Sequence, residues 1–200
     1  MPDIAAKDSS ALIIVDLLID FFDRALWPHS DIPQQRESLT RNTNDLVSLA
    51  REFQLPVLWV RQEFEPDLSD AFLHMRRQHK KYTVKGTPGA NFLPELQINA
   101  SDPVITKKRF SAFFRTKLDE QLAALGVTEI ILAGITTTWC IRETAVDAYQ
   151  RDFLVTLAKS CTAAFTAEDH DKSIKAMDGY IAKCFSIRQI RNHLEEISSH

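Results

Sequence analysis

Cysteine is scarce in this 200-residue chain, and its three copies, Cys140, Cys161 and Cys184, lie far apart. An odd number at wide spacing excludes a disulfide framework and suits a reducing, cytoplasmic setting. No CxxC or HExxH pattern is present, so the common zinc and dithiol signatures are missing. No apolar run approaches the ~20 residues needed to cross a bilayer. A formal net charge of -3 leaves no basic footprint for nucleic acid. Repeats and low-complexity tracts are also lacking. The opening MPDIAAKDSS has no basic region followed by a long apolar one, so no secretory leader is expected. What is present, 44% hydrophobic and 26% charged residues, fits one globular domain over 1–200 with a substantial core.

Short apolar runs alternate with helical patterns along the chain. The run at 11–15 is continuously apolar, as a strand covered on both faces must be. Further strands are predicted at 57–61, 104–107, 128–133, 153–158 and 184–187. Helical spacing covers 34–54, with Leu39, Thr43, Leu46, Val47 and Ala50 on one side. It returns at 118–125 (stopped by Gly126), 141–150, 167–182 and 188–197. Residues 62–102 are the least regular and read as a short helix and surface loops, a place for substrate contacts. Their Gly86-Thr87-Pro88-Gly89 turn lacks the spacing of a phosphate loop. The alternation predicts an α/β fold, a three-layer α/β/α sandwich on a mostly parallel, Rossmann-like sheet of about six strands.

Three residues stand where such a sheet binds ligands, outside the carboxyl ends of its strands. Asp16 follows ALIIV, Lys107 ends PVITK, and Cys140 comes after EIILAG and the loop ITTTW. An acid can take a proton, a cation can stabilise the resulting anions, and a thiol can attack. Cys140 also opens a helical stretch, where the macrodipole and free N–H groups favour thiolate and could receive an oxyanion. Each residue has a plainer reading. A lone cysteine often packs as a small hydrophobe. A carboxylate after a strand is often a cap, which suits Asp20 better than Asp16, and basic residues such as Lys108 and Arg109 often finish strands at the surface. The aromatics Phe21, Phe22, Trp27, Phe113, Phe114 and Trp139 divide between pocket wall and core. Arg61, Glu63 and Arg115 are either substrate-orienting groups or solvated charges.

Four segments, taken together, resemble the isochorismatase-like cysteine hydrolase superfamily: ALIIVDLLIDFF around Asp16, KGTPGANFLPEL at 85–96, VITKKRFSAFFRTKLDEQL around Lys107 and GITTTWCIRETAVDAY around Cys140. Their order and spacing run over roughly 11–165. The resemblance implies an Asp-Lys-Cys catalytic triad at Asp16, Lys107 and Cys140. Lys107 is preferred to Lys108 because the family lysine stands two residues before the basic position that Arg109 occupies. It also implies a cis peptide at Ile135–Thr136, oxyanion donors at Thr136 and Cys140, and a homodimer or higher homo-oligomer.

Two departures narrow the family reading. Leu18 stands where many members carry Gln, and VRQEFEPDLSD after the second strand has no histidine before His74, against a nicotinamidase-type metal site. A nucleophilic cysteine argues against vinyl-ether hydrolysis. The implied activity is cleavage of a C–N bond in a small amide or ureido compound through a thioester, without cofactor or metal. Phe22, Trp27, Arg61, Phe113 and Trp139 are the candidate substrate contacts. A non-catalytic small-molecule-binding or regulatory relative using the same crevice is the alternative. A redox-responsive thiol protein is a minor third, since Cys161 and Cys184 read as core residues.

Overall fold

A computed structural model describes residues 9–199, so the expectation about a leader falls largely outside the described residues. Six strands form one sheet: β1 (Ser10–Val15), β2 (Val57–Gln62), β3 (Val104–Lys107), β4 (Glu129–Ile135), β5 (Leu154–Ala163) and β6 (Lys183–Phe185). Their order is β3-β2-β1-β4-β5-β6 and every pairing is parallel. Parallel neighbours need crossovers, supplied here by α1 (Arg36–Glu52), α2 (Leu73–Gln78), α3 (Leu118–Ala124), α4 (Cys140–Tyr149) and α5 (Ala167–Met177); α6 (Ile187–Ser198) follows the last strand. The α/β fold is the one the alternation predicts.

The period of two along each strand explains the layers. Leu12 and Ile14 of β1, with Val57 and Trp59 of β2, join Leu39 and Leu46 of α1 and Ile190 and Leu194 of α6 on one face. Ala11, Ile13 and Val15, with Leu58 and Val60, meet Leu118, Leu122, Ile141, Ala145 and Met177 on the other. With both faces covered, the central stretches of β1 and β4 are continuously apolar, Ala11–Val15 and Ile130–Ala133. A third, smaller cluster of Phe64, Leu68, Ala71, Met75 and Val84 gives the irregular 62–102 region a core of its own. Asp20 ties that region down by accepting a 2.6 Å hydrogen bond from the Thr83 N–H. Gly89 is required there, because a Cβ on it would sit 1.9 Å from the Asp20 carboxylate.

Two elements differ from the sequence expectation. β5 runs on to Ala163, through the polar Lys159-Ser160 pair, because its register against β4 slips between Leu132 and Gly134 and exposes those two residues. α5 stops at Met177 rather than 182, where the chain turns through Gly179 (φ +81°) and an Asp178–Ala182 bridge.

The strand order reverses between β1 and β4, and a crevice opens at such a switch point. β4 runs against β1 with Gly134 facing Val15. Gly134 has φ +115°, and a Cβ on it would lie 2.0 Å from the Val15 carbonyl oxygen. Only glycine lets the two strand ends approach this closely, immediately before Asp16 on one side and the Cys140 loop on the other. The far edge of the sheet holds a different polar group: buried Glu129 accepts from Ser10 Oγ and Thr156 Oγ1, both at 2.8 Å, and lies 3.0 Å from His193 Nε2. That carboxylate is fully partnered and stands at the N-terminal end of β4, away from the crevice.

Candidate active site

Asp16 leaves β1 in the left-handed region (φ +59°), which aspartate tolerates better than most residues. The Gln62 backbone N–H donates to its Oδ1 at 2.7 Å, and Lys107 Nζ stands 2.7 Å from its Oδ2. Lys107 is the last residue of β3, in register with Gln62 of β2. Its ammonium also lies 3.3 Å from Cys140 Sγ and 3.0 Å from the Arg109 carbonyl oxygen. Cys140 is the first residue of α4, so its N–H has no intrahelical acceptor. Asp16, Lys107 and Cys140, far apart in sequence, therefore converge on one buried cluster with Lys107 in the middle. The Ile135–Thr136 peptide before Cys140 is cis.

The electrostatics reverse one expectation. Burial pushes the Cys140 thiol up to about 12; Lys107 pulls it down and Asp16 pushes it up again, and burial prevails. Burial would also lower the Lys107 ammonium, but the Asp16 carboxylate and the Cys140 sulfur outweigh it and hold the lysine above its usual range. The helix terminus thus does not make a resting thiolate. One cation faces two acidic groups, and a second buried anion beside Asp16 is disfavoured. The resting arrangement is a neutral thiol next to an Asp–Lys ion pair.

The alkaline stability of the fold follows from these directions. Thiols exposed by unfolding titrate near 9.0, whereas burial holds both Cys140 and Cys161 near about 12 in the folded chain. Between those values the folded chain keeps protons that the unfolded chain has released, so stability falls as pH rises. The loss is at most ~1.4 kcal/mol per pH unit for each thiol. Lys107 acts in the same direction, its contribution being lost as pH rises through its raised folded value. Urea unfolding at stepped pH from 8 to 11 should show this decline, with a shallower slope for Cys161→Ala. Equal slopes in the two proteins would assign the decline to other groups.

Above the thiol lies a cavity of about 140 Å³. Phe21, Trp27, Phe110, Trp139 and Phe165 form most of its wall. Gln62, Ile135, Thr136 and Cys140 complete it. Trp27 stacks on both Phe21 (6.0 Å) and Phe165 (5.2 Å), and its Nε1 donates to the Asp20 carbonyl oxygen at 2.9 Å. Phe110 and Trp139 lie 5.2 Å apart. A larger groove of about 590 Å³, beside Arg36, Glu37 and Arg41 of α1, shares no residue with this cavity and holds no candidate nucleophile.

Of the substrate contacts expected from sequence, Trp27 and Trp139 line the cavity; Phe22, Arg61 and Phe113 do not. Phe22 is buried in the core beneath α1. Strand alternation turns Arg61 away from its neighbour Gln62, into an ion pair with Glu63 at 3.4 Å and a bond to Thr106 Oγ1. Phe113 packs in the opposite core against Phe153, with the Arg151 guanidinium 4.9 Å above its ring. Gln62, Phe110 and Phe165 were missed. Only the two-residue period of β2 could have indicated Gln62; Phe110 and Phe165 lie in irregular segments with no period to read.

No group of three or more His, Cys, Asp or Glu gathers as a metal site among the described residues. The acids after β2 are drawn to cations instead, Glu65 to Lys85 at 3.1 Å and Asp70 to Lys108 at 2.7 Å. The residues present therefore do not fit a nicotinamidase-type metal centre. Among the described residues no helix is long and apolar enough to cross a membrane.

The chain and its fold have relatives among known proteins. A probable inactive nicotinamidase of Arabidopsis thaliana is 36% identical over 177 residues, covering 84% of this chain and 88% of its own. A maleamate amidohydrolase of Pseudomonas putida is 32% identical over 135 residues, covering 66% of this chain and 63% of its own. An isochorismatase family protein from Desulfovibrio vulgaris superposes with a TM-score of 0.84 at 27% identity, over 94% of this chain and 99% of its own. The expected amidohydrolase character agrees with how such relatives are named. The family model for the isochorismatase domain matches residues 10–189, a span that holds the whole sheet and all three clustered residues, and the chain belongs to that family.

Proposed function

We propose that this protein is a cysteine hydrolase that cleaves a C–N bond of a small amide or ureido compound through a thioester on Cys140. The observation that carries this reading is Lys107 Nζ, placed 2.7 Å from Asp16 Oδ2 and 3.3 Å from Cys140 Sγ, with Cys140 itself lining an aromatic-walled cavity. Asp16 takes the thiol proton as sulfur attacks the carbonyl carbon, so charge develops on sulfur only when a substrate is present to receive it. Lys107 keeps the ionic arrangement balanced as the negative charge moves from carboxylate to sulfur to oxygen. The N–H groups of Thr136 and Cys140 receive the oxyanion; one such donor commonly contributes ~3 kcal/mol to transition-state stabilisation. Asp16 then passes its proton to the leaving nitrogen, the C–N bond breaks, and a thioester remains. Asp16 deprotonates the water that attacks the thioester and returns that proton to the departing sulfur.

The family relatives named as amidohydrolases support the reaction class, and the three free, buried cysteines suit the reducing cytoplasmic setting that goes with it. A homo-oligomer is part of the same proposal; exposed Trp139 and Phe114 lie close to the cavity region in sequence and offer apolar surface for a second copy. The test is ammonia release from a panel of small amides and ureido compounds, with a rapid quench and peptide mass spectrometry. An acyl adduct on Cys140 is expected. Turnover with no adduct, and undiminished in Cys140→Ala, would remove the mechanism. One relative's description as a probable inactive nicotinamidase favours a second reading, a ligand-binding protein without turnover; saturable binding with no ammonia release from any compound would select it.

A further inference from the structure

The loop between β4 and α4 is held from three directions. On the β5 side, the Ala163 carbonyl oxygen accepts from the Thr137 N–H at 2.9 Å. Within the turn, the Thr136 carbonyl oxygen accepts from the Trp139 and Ile141 N–H groups at 3.1 and 3.0 Å. The third hold comes from a side chain on α5: His170 Nδ1 lies 3.3 Å from Thr137 Oγ1. Thr137 is 0% exposed, and His170 is the one partner of its hydroxyl among the described residues. Buried hydroxyls nearly always keep a partner, so removing the ring leaves this one unsatisfied unless the loop moves.

His170 is itself anchored. It stands near the start of α5, where Thr166 Oγ1 caps the helix by accepting from the Asp169 N–H at 3.1 Å. Asp31 Oδ2 accepts from the Ala167 N–H at 3.2 Å, and the Asp31 N–H donates to the Phe165 carbonyl oxygen at 2.7 Å. The cavity wall at Phe165 and the helix that carries His170 are therefore tied to the same point. The ring is half-buried, and burial holds its pKa below the usual histidine range, against Asp171, which acts to raise it. An uncharged imidazole brings no cation to the loop, so what it contributes there is position.

We propose that His170 is a positioning residue: by holding Thr137 it fixes the adjoining Thr136 peptide, whose N–H receives the oxyanion. The sulfur lies outside this hold, because Cys140 is set by α4 and by Lys107. Oxyanion stabilisation thus depends on His170, and the reactivity of the thiol does not. The inference rests on the hydrolase reading above.

The experiment reads two reactions of Cys140 by peptide mass spectrometry, with Cys161 and Cys184 as internal controls. With p-nitrophenyl acetate, Asp16 takes the thiol proton and sulfur attacks the ester carbonyl. The C–O bond then breaks, p-nitrophenolate leaves and an acetyl thioester remains, so the path crosses an oxyanion. With iodoacetamide, sulfur displaces iodide from carbon and no oxyanion forms. His170→Ala should slow acylation roughly 10–100-fold and change alkylation by less than about threefold. His170→Asn, whose amide reaches the Nδ1 position and can donate or accept, should recover most of the acylation rate. Hydrogen exchange of the 134–140 peptide should rise in His170→Ala and not in His170→Asn. Unchanged acylation in His170→Ala, an equal fall in both reactions, or no recovery in His170→Asn overturns the proposal. A parent protein that is alkylated but never acylated overturns the hydrolase reading; hydrogen exchange then still decides whether His170 holds the loop.

Discussion

Cys140→Ala should lower amide turnover on the order of 10⁴- to 10⁶-fold, the scale on which removal of a covalent nucleophile acts. The fold should survive. The change removes one sulfur from a residue that is 6% exposed, and Asp16 and Lys107 keep each other as partners. The cost of the small void is about 1 kcal/mol. Ammonia release by purified variant and parent, with thermal melts of both, checks the two halves of this expectation. Loss of turnover with a melting point within a few degrees of the parent fits a nucleophile. A collapsed melt would instead make Cys140 a packing residue.

Lys107→Met should have the largest effect on stability. The Lys107 and Asp16 side chains are 0% and 1% exposed, so removing the ammonium leaves a carboxylate buried without its counter-charge. Breaking one half of a buried pair costs roughly 3–5 kcal/mol, whereas replacing both halves with neutral groups is often close to neutral. The double variant Asp16→Asn/Lys107→Met should therefore regain most of the loss in urea unfolding. Activity should be absent from both, because the proton acceptor or its counter-ion is gone. A single variant within about 1 kcal/mol of the parent would show that Asp16 is protonated or solvated at rest, contrary to the paired arrangement.

Much of this was legible in the residues. ALIIV and EIILA announce buried parallel strands because both faces of such a sheet are covered, PVIT forms the partly exposed edge strand, and in that architecture reactive groups collect at the carboxyl ends. Asp16 and Lys107 stand at two strand ends and Cys140 beyond a third, and the structure brings the three together. The pocket wall was much less legible. Which of Arg61 and Gln62 faces the cavity depends on the end register of β2, and a one-residue difference exchanges a paired surface charge for a buried amide. Phe110 and Phe113 lie in a stretch without regular structure, so no period distinguishes the ring over the thiol from the ring buried against Phe153. The direction in which burial moves the Cys140 thiol was hidden for a related reason. A helix terminus and a cation can be read from sequence, but the burial that outweighs them comes from rings supplied by distant loops.

The central claim is that Asp16 converts a protonated, buried thiol into a nucleophile on demand. Alkylation of Cys140 against pH, followed by peptide mass spectrometry with Cys161 and Cys184 as internal standards, tests it without knowledge of the substrate. If Asp16 and Cys140 share one proton, a constant small fraction of the pair carries it on the carboxylate, and the rate should be flat through the neutral range. In Asp16→Asn that flat region should disappear, leaving a rate that climbs with pH as the thiol ionises directly, at a lower value than in the parent because the Asp16 charge that helps to raise it is gone. A parent protein in which Cys140 reacts no faster than Cys161 and Cys184, and only as alkali rises, would contradict the account.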